Sequence, residues 1–240
     1  MDEQTHKLIS KSQISTWDFC PLQYKKRYID GIKGETNMTL ATGTRIHAFC
    51  DTFFDHARDV SPEDWYDFIH PDFSEYEQGM IKNFLDYEWT RLQKYDMDYD
   101  LWMPVMRETM VVNEELGLRG IVDRVDKFGS DYIIVEYKTS KSIYKPALQK
   151  EFGFYKYMLN NTKPYDKWNI TLGCVINTRI GQIEYMTPSK EETIIKRINA
   201  IKMAKESGIF RPTCSEAKFA ICKLCEIDEA ELFIEDESFI

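Results

Sequence analysis

The sequence predicts an α/β core with a helical lobe built from both ends of the chain. Apolar residues recur at helical spacing through the first hundred residues, whereas short apolar-rich segments bounded by turn residues begin after Met103. A last long helix precedes a cysteine-rich C-terminal segment. The element order is therefore helices, three strands that favour antiparallel pairing, a helix, two strands and a final helix.

The N-terminal segment "ISTWDFCPLQYKKRYIDGI" predicts a short helix that begins at Ser15. Pro21 lacks a backbone N–H, so the helix is expected to break or restart there. Gly31 is a typical residue just after a helix C-terminus, and we expect the segment to end near it.

Two longer helices follow. The first is predicted from about Thr42, and the second runs from about Phe73 to Tyr95 with acidic residues on its solvated side. The apolar residues that mark their inner faces are Ile46, Phe49, Cys50, Phe53 and Phe54 in the first, and Met80, Ile81, Phe84, Leu85 and Leu92 in the second.

The strands are predicted from short segments in which apolar and polar residues alternate. "VMRETMVV" and "GLRGIVDRVD" flank "NEELG", a hairpin connection, and "DYIIVEYKT" supplies a third strand. The segment "PALQKEFGFYKYMLN" predicts a helix, followed by strands at "NITLGCVINT" and "QIEYMTP". The last helix is predicted from about Ser189 to Glu206.

Length and composition indicate a single domain. The chain has 240 residues, a net charge of -9 and a sequence pI near 5.1, which argues against nucleic-acid binding over the whole surface but leaves a local basic groove open. We expect a mainly helical part at 1–100, an α/β core at 101–206, and a cysteine-rich segment at 207–240 that packs on the helical lobe. No apolar run approaches the roughly 20 residues that span a bilayer, so a cytoplasmic protein without membrane contact is expected.

Three charged residues stand in two predicted neighbouring strands. Twelve residues separate Asp123 from Glu136, and Lys138 follows Glu136 by two, so Glu136 and Lys138 share a strand face. Paired strands would bring both carboxylates to one Mg²⁺ or Mn²⁺ ion, with the carbonyl of Tyr137 as a further ligand. A nearby lysine orients or deprotonates an attacking water and offsets charge that develops on phosphate.

This D-x12-E-x-K pattern resembles the PD-(D/E)xK nucleases, and "GIVDRVD…VEYKTSK" is most similar to their RecB-like branch, which includes CRISPR-associated exonucleases. The resemblance implies a restriction-endonuclease-like core, with a mixed central sheet flanked by helices. It also implies that Asp123, Glu136 and Lys138 are catalytic. A histidine on an upstream helix is a metal ligand in that branch, and His47 in "GTRIHAF" matches it.

The same branch carries a Q-x3-Y element on the helix after the lysine strand, where it contacts DNA. Tyr155 matches the tyrosine, but Glu151 stands at the glutamine position, with Gln149 two residues earlier. Lys141 lies in the basic, aromatic-containing stretch "KTSKSIYK". The resemblance therefore implies DNA contacts at Tyr155, Glu151 and Gln149, and the basic stretch predicts a further contact at Lys141.

Four cysteines resemble an iron–sulfur ligand set of the same family, in which one N-terminal and three C-terminal cysteines hold a [4Fe–4S] cluster. They are Cys20, Cys214, Cys222 and Cys225. The spacing departs from the family's, because the third C-terminal cysteine precedes the C-x2-C pair instead of following it. A four-cysteine zinc site or no metal remain alternatives. Cys50 and Cys174 are expected to be small core residues.

The predicted function is that of a metal-dependent DNA exonuclease that processes single strands or DNA ends. We expect it to act in recombination, repair, CRISPR adaptation or phage replication, with partner proteins from those processes. If a phage encodes the protein, its expected location is the host cytoplasm. Two alternatives remain: a non-catalytic DNA-binding or assembly subunit with the same fold, and a structural zinc protein. The intact carboxylate–lysine set argues against the first of these.

Overall fold

The computed structural model describes residues 8–32 and 38–213, with side chains in the second range described from 41 onwards. These residues form two compact units. One unit comprises 8–11 and 38–196, and the other comprises 12–32 and 197–213. Within the described residues, no helix is both long enough and apolar enough to span a membrane.

The first unit is built on a five-stranded sheet whose spatial order follows the chain order. The strands are β1 (Met106–Asn113), β2 (Leu118–Phe128), β3 (Asp131–Lys138), β4 (Asn169–Asn177) and β5 (Gln182–Met186). Pairing is parallel between β3 and β4 and antiparallel elsewhere. The predicted α/β fold with a mixed sheet flanked by helices is confirmed.

The β1–β2 hairpin forms where "NEELG" predicts it. The Asn113 side chain accepts a hydrogen bond from the Leu116 backbone at 2.9 Å, and Gly117 has a φ of 72°, a conformation that favours glycine. Asn113 pairs with Leu118, and the register continues to Met106 opposite Val125. The turn therefore fixes which residues of the two strands face each other.

Helices cover both faces of the sheet. Val135 and Tyr137 of β3 belong to the core cluster formed with α3 (Met38–His56) and α4 (Glu75–Lys94). Because successive strand residues point to opposite faces, Glu136 and Lys138 face α6 (Lys145–Asn160) on the other side. The predicted 73–95 helix is confirmed as α4, which Ser74 and Glu77 begin with a capping box.

The remaining helices are α1 (Lys11–Phe19), α2 (Pro21–Tyr24), α5 (Tyr99–Trp102) and α7 (Glu191–Ser207), and one π-helical turn covers Lys25–Ile29. The start of α1 at Lys11 corrects the prediction of Ser15. The Ile9 backbone bonds to Gly117 and Arg119, as an isolated bridge to the hairpin. This long-range pairing fixes the chain just before the helix, and local capping preferences do not reveal it.

A buried ion network joins α4 to the sheet. Arg124 is 0% exposed and donates to Glu88 at 2.6 Å and to both carboxylate oxygens of Asp126. Its Nη1 also lies 3.2 Å from the Tyr137 hydroxyl. Arg124 and Asp126 thus form a buried structural salt bridge.

We expect Asp126→Asn to lower the free energy of unfolding by about 3–5 kcal/mol, because it leaves the buried Arg124 with one carboxylate fewer. Urea unfolding measures the change. Asp59→Asn, at an exposed position, is the control and should stay within about 0.5 kcal/mol of wild type. Equal stability of the two variants would contradict a structural role for the network.

Candidate functional site

The predicted carboxylates lie where β2 and β3 separate. The last pair in the β2–β3 register is Arg124 with Val135. Asp123 and Glu136 are therefore the next residues of the two strands, just beyond the paired region. The Tyr137 backbone N–H donates to Asp123 Oδ2 at 3.0 Å and holds that carboxylate. Both side chains are buried, at 6% and 2% exposure, which brings two acidic groups together away from bulk water.

Glu136 has one oxygen occupied by cations and one without a partner. Its Oε1 accepts from Lys138 at 2.9 Å and from Lys11, whereas Oε2 is buried with no hydrogen-bond partner among the described residues. Burial alone would raise the pKa of Glu136, but the charges of Lys11 and Lys138 outweigh it and lower the pKa to about 2. Glu136 is therefore ionised, and one of its buried oxygens has no hydrogen-bond partner among the described residues.

His47, Glu108 and Asp123 offer ligand atoms that all lie within 4.8 Å of one another. His47 Nδ1 is 3.5 Å from Asp123 and 3.9 Å from Glu108. Burial lowers the pKa of His47, which favours the neutral imidazole that binds metals. Burial and the charge of Glu136 raise the pKa of Asp123, because both disfavour the ionised carboxylate. A bound cation would stabilise the ionised form.

This donor set fits a divalent cation. Carboxylate oxygens are the ligands of Mg²⁺ and Mn²⁺, and one imidazole is compatible with the softer Mn²⁺. The unpartnered oxygen of Glu136 is the independent observation that supports the fit, because a buried carboxylate oxygen is rarely left without a donor. His47, Glu108, Asp123 and Glu136 would hold the ion.

Glu108 was not predicted from the sequence. Glu108 and Asp123 lie between the pairs Arg107–Arg124 and Thr109–Val122 of the β1–β2 register, and the φ of 34° at Glu108 is unusual for a residue with a side chain. The register could have revealed it, since a hairpin that pairs Asn113 with Leu118 places 108 across from 123. Backbone strain of this kind is typical of functional sites, where the fold holds a side chain in place.

We expect Glu108→Gly to be more stable than Glu108→Ala by about 1 kcal/mol, because only glycine adopts a positive φ without strain. The usual order inside a strand is the reverse. Chemical unfolding in EDTA measures the difference. If the alanine variant is equally or more stable, Glu108 is not strained. Both variants should bind Mn²⁺ more weakly than wild type, which a titration followed by calorimetry checks.

A second lysine, Lys11, enters the site and was also missed. Its ammonium pairs with Glu136, lies 4.0 Å from Glu151, and stands 5.2 Å from the Tyr155 ring centre. Lys138 pairs with Glu136 and with Glu151, each at 2.9 Å. The two lysines and two glutamates form one cluster beside the candidate metal ligands, and Lys11 is the first residue of α1.

The four residues predicted to contact DNA differ in their burial and in their contacts. Glu151 belongs to the lysine cluster, whereas Tyr155 is buried and its hydroxyl donates to the Ile121 carbonyl at 2.5 Å. In the described part of the chain, the exposed Lys141 and the half-buried Gln149 take no part in the bonds that join this cluster. DNA contacts at all four stay predictions.

The Tyr137 backbone lies beside the candidate metal ligands. Its N–H donates to Asp123 Oδ2 at 3.0 Å. The side chain points to the other face, where its hydroxyl meets Arg124 at 3.2 Å. A metal contact through the Tyr137 carbonyl remains a prediction.

Of the four cysteines in the predicted cluster, Cys20 is described and buried, while Cys214, Cys222 and Cys225 lie outside the described residues. Thr213 donates from its hydroxyl to the Phe19 carbonyl at 3.2 Å, so two neighbours of these cysteines are in contact. The core positions predicted for Cys50 and Cys174 are confirmed by exposures of 0% and 1%.

Comparisons with known proteins agree with this geometry. The family described as the PD-(D/E)XK nuclease superfamily matches residues 8–230. A crystal structure from Eubacterium rectale, described as a "Putative exonuclease", has a TM-score of 0.50 and 12% identity, and covers 97% of this chain and 96% of its own.

A crystal structure of a protein called SSO0001 has a TM-score of 0.32 and 14% identity, and covers 88% of this chain and 98% of its own. That score is too low to indicate a shared fold. No curated protein matches. At these identities the likeness between structures concerns the fold alone.

Proposed function

Because the chain belongs to the PD-(D/E)XK nuclease superfamily, we propose that it is a divalent-metal-dependent DNA exonuclease of the RecB-like type that processes DNA ends. The observation that carries the proposal is the group of ligand atoms from His47, Glu108 and Asp123, with the Glu136–Lys138 ion pair on the neighbouring strand. Catalytic roles for Asp123, Glu136 and Lys138, and metal ligation by His47, follow from that arrangement.

The chain's own residues supply most of the proposed mechanism. A bound Mg²⁺ or Mn²⁺ would polarise the scissile phosphate and make water a stronger nucleophile. Lys138, held between Glu136 and Glu151, is placed to orient that water and to offset charge on the phosphate. Lys11 adds a second cation at the same carboxylate, so that the site offers positive charge to a phosphate on more than one side.

The test is degradation of single- and double-stranded DNA labelled at one end, with Mg²⁺, Mn²⁺ or EDTA. We expect metal-dependent release of short products from linear DNA, and no cutting of covalently closed circles. Cutting of the circles would refute the exonuclease part and leave a nuclease. Inertness on all DNA substrates with both metals would refute the proposal and favour a DNA-binding or assembly subunit. Action in recombination, repair, CRISPR adaptation or phage replication, with partners from those processes, depends on this first result.

We further propose that Cys20, Cys214, Cys222 and Cys225 bind a [4Fe–4S] cluster. Support comes from the burial of Cys20 and from the contact between Thr213 and Phe19, which precede two of these cysteines in sequence. We expect protein purified without oxygen to be brown and to contain iron and acid-labile sulfide, and Cys20→Ser to lose both. One zinc per chain with no sulfide would refute the cluster and support the four-cysteine zinc site instead.

A further inference from the structure

A cavity of about 290 Å³ opens on the α4 face of the sheet, between α4 and strands β2 to β5. Val135 lines it, whereas the next residue, Glu136, points to the opposite face, toward α6. The cavity and the carboxylate–lysine cluster are therefore separated by the sheet. None of the residues assigned above to metal binding or to the lysine cluster lines this cavity.

Arg91 gives the cavity a buried cation with unused donors. Its side chain is 8% exposed, and its Nε donates to Glu88 at 2.8 Å. Both terminal nitrogens, Nη1 and Nη2, lack a hydrogen-bond partner among the described residues. Nη1 forms an ion pair with Asp126 at 3.5 Å, and the guanidinium lies over the Tyr95 and Trp102 rings, so these contacts offset part of its charge without supplying a hydrogen-bond acceptor to either Nη. Buried donors of this kind are seldom left unpaired, so the guanidinium points to an acceptor supplied by a ligand.

The lining of the cavity adds a second cation and several aromatic rings. Lys94 follows Arg91 by three residues, so both lie on one side of α4. Four aromatic side chains also line it: Tyr87, Tyr95, Phe128 and Tyr185. Phe128 and Tyr185 are 64% and 53% exposed, which is high for large rings and leaves their faces available for stacking.

We propose that this cavity binds a nucleoside monophosphate, with its phosphate at Arg91 and Lys94 and its base against Phe128 or Tyr185. The lining carries two cations, Arg91 and Lys94, and one carboxylate, Asp126, so it keeps a net positive charge that suits a phosphate monoester. The paired Nη donors suit two phosphate oxygens. The volume is at the lower end for ligand pockets, roughly 300–1,000 Å³, which fits one nucleotide and not an oligonucleotide. This binding goes beyond the proposed nuclease function and does not require it.

Calorimetric titration tests the proposal, with dAMP, deoxyadenosine and inorganic phosphate as probes. EDTA is present throughout, so that no divalent ion links a nucleotide to the carboxylates. We expect dAMP to bind at least tenfold more tightly than either of the other probes, because only dAMP engages both the cations and the rings. Phosphate that binds as well as dAMP, or no measurable binding of dAMP at millimolar concentration, would overturn the proposal.

Surface variants then locate the binding. Lys94→Ala and Phe128→Ala should each weaken dAMP binding about tenfold, and both positions are exposed enough to leave folding intact. Lys82→Ala, exposed on the same helix, is the matched control and should bind like wild type. Arg91→Met should abolish binding, with circular dichroism to check its fold. Unchanged affinity in Lys94→Ala and Phe128→Ala would overturn the assigned site. Because the readout is binding without metal, loss of nuclease activity and loss of this site are distinguishable.

Discussion

Lys138→Ala is expected to reduce metal-dependent DNA degradation about a thousandfold, in line with the loss of a group that assists proton transfer and charge stabilisation. Lys138 is the cation that both Glu136 and Glu151 hold, each at 2.9 Å, so its position does not depend on substrate. Alanine removes the ammonium and leaves His47, Glu108 and Asp123 intact. The measurement is the rate of label release at saturating Mn²⁺, with equal amounts of folded protein.

Two comparisons make this result interpretable. Lys127→Ala removes a lysine that is exposed on β2, and it should retain wild-type activity. Mn²⁺ titration of Lys138→Ala should show binding no weaker than in wild type, since the lysine repels the ion instead of ligating it. A Lys138→Ala protein that degrades DNA at the wild-type rate would refute the catalytic role, and one that no longer binds Mn²⁺ would assign the loss to the metal site.

Lys11→Met is expected to lower the rate of DNA degradation about a hundredfold, the size of effect seen when one preorganised donor is removed from a site. At the same time, Mn²⁺ should bind about tenfold more tightly, because a positive charge beside Glu136 is lost. Burial alone would lower the pKa of Lys11, but Glu136, Asp123 and Glu151 outweigh it and raise the pKa, so the repelling charge is present at neutral pH. Rates at saturating Mn²⁺ and calorimetric metal titration measure the two effects.

The opposite directions of these effects separate a role in catalysis from a role in packing. Methionine keeps most of the volume of the lysine stem, and Lys11→Arg should recover part of the activity because it restores the charge. Lys127→Met serves as the matched exposed control. If Lys11→Met lowers activity and metal affinity together, Lys11 supports the structure of the site; if neither changes, it has no role in it.

Local signals explain why much of the fold was predictable. The helix α4 has a capping box and a regular apolar stripe, and the β1–β2 hairpin has a turn that its own residues specify. Asp123, Glu136 and Lys138 were predicted from their spacing and His47 from the family resemblance, and the structure brings all four close together. Their chemical roles are the subject of the predictions above.

Long-range contacts explain what was missed. Lys11 reaches Glu136 across 125 sequence positions, from a segment whose local pattern resembles any polar helix start. The bridge between Ile9 and Leu118, which holds this segment against the hairpin, also joins residues that are far apart in sequence, so local patterns do not predict it. The unused donors of Arg91 and the buried position of Tyr155 depend on packing between helices and sheet, which composition and periodicity do not specify.

The Lys11–Glu136 contact also has a consequence for the order in which the protein acquires activity during synthesis. Lys11 is synthesised 125 residues before its partner Glu136. Such a distant contact closes slowly compared with the formation of a helix or hairpin. Glu151, which holds Lys138, is made later still. A ribosome-bound chain that ends before α6 would therefore lack Glu151 and hold an incomplete candidate site, even with β1, β2 and β3 already made.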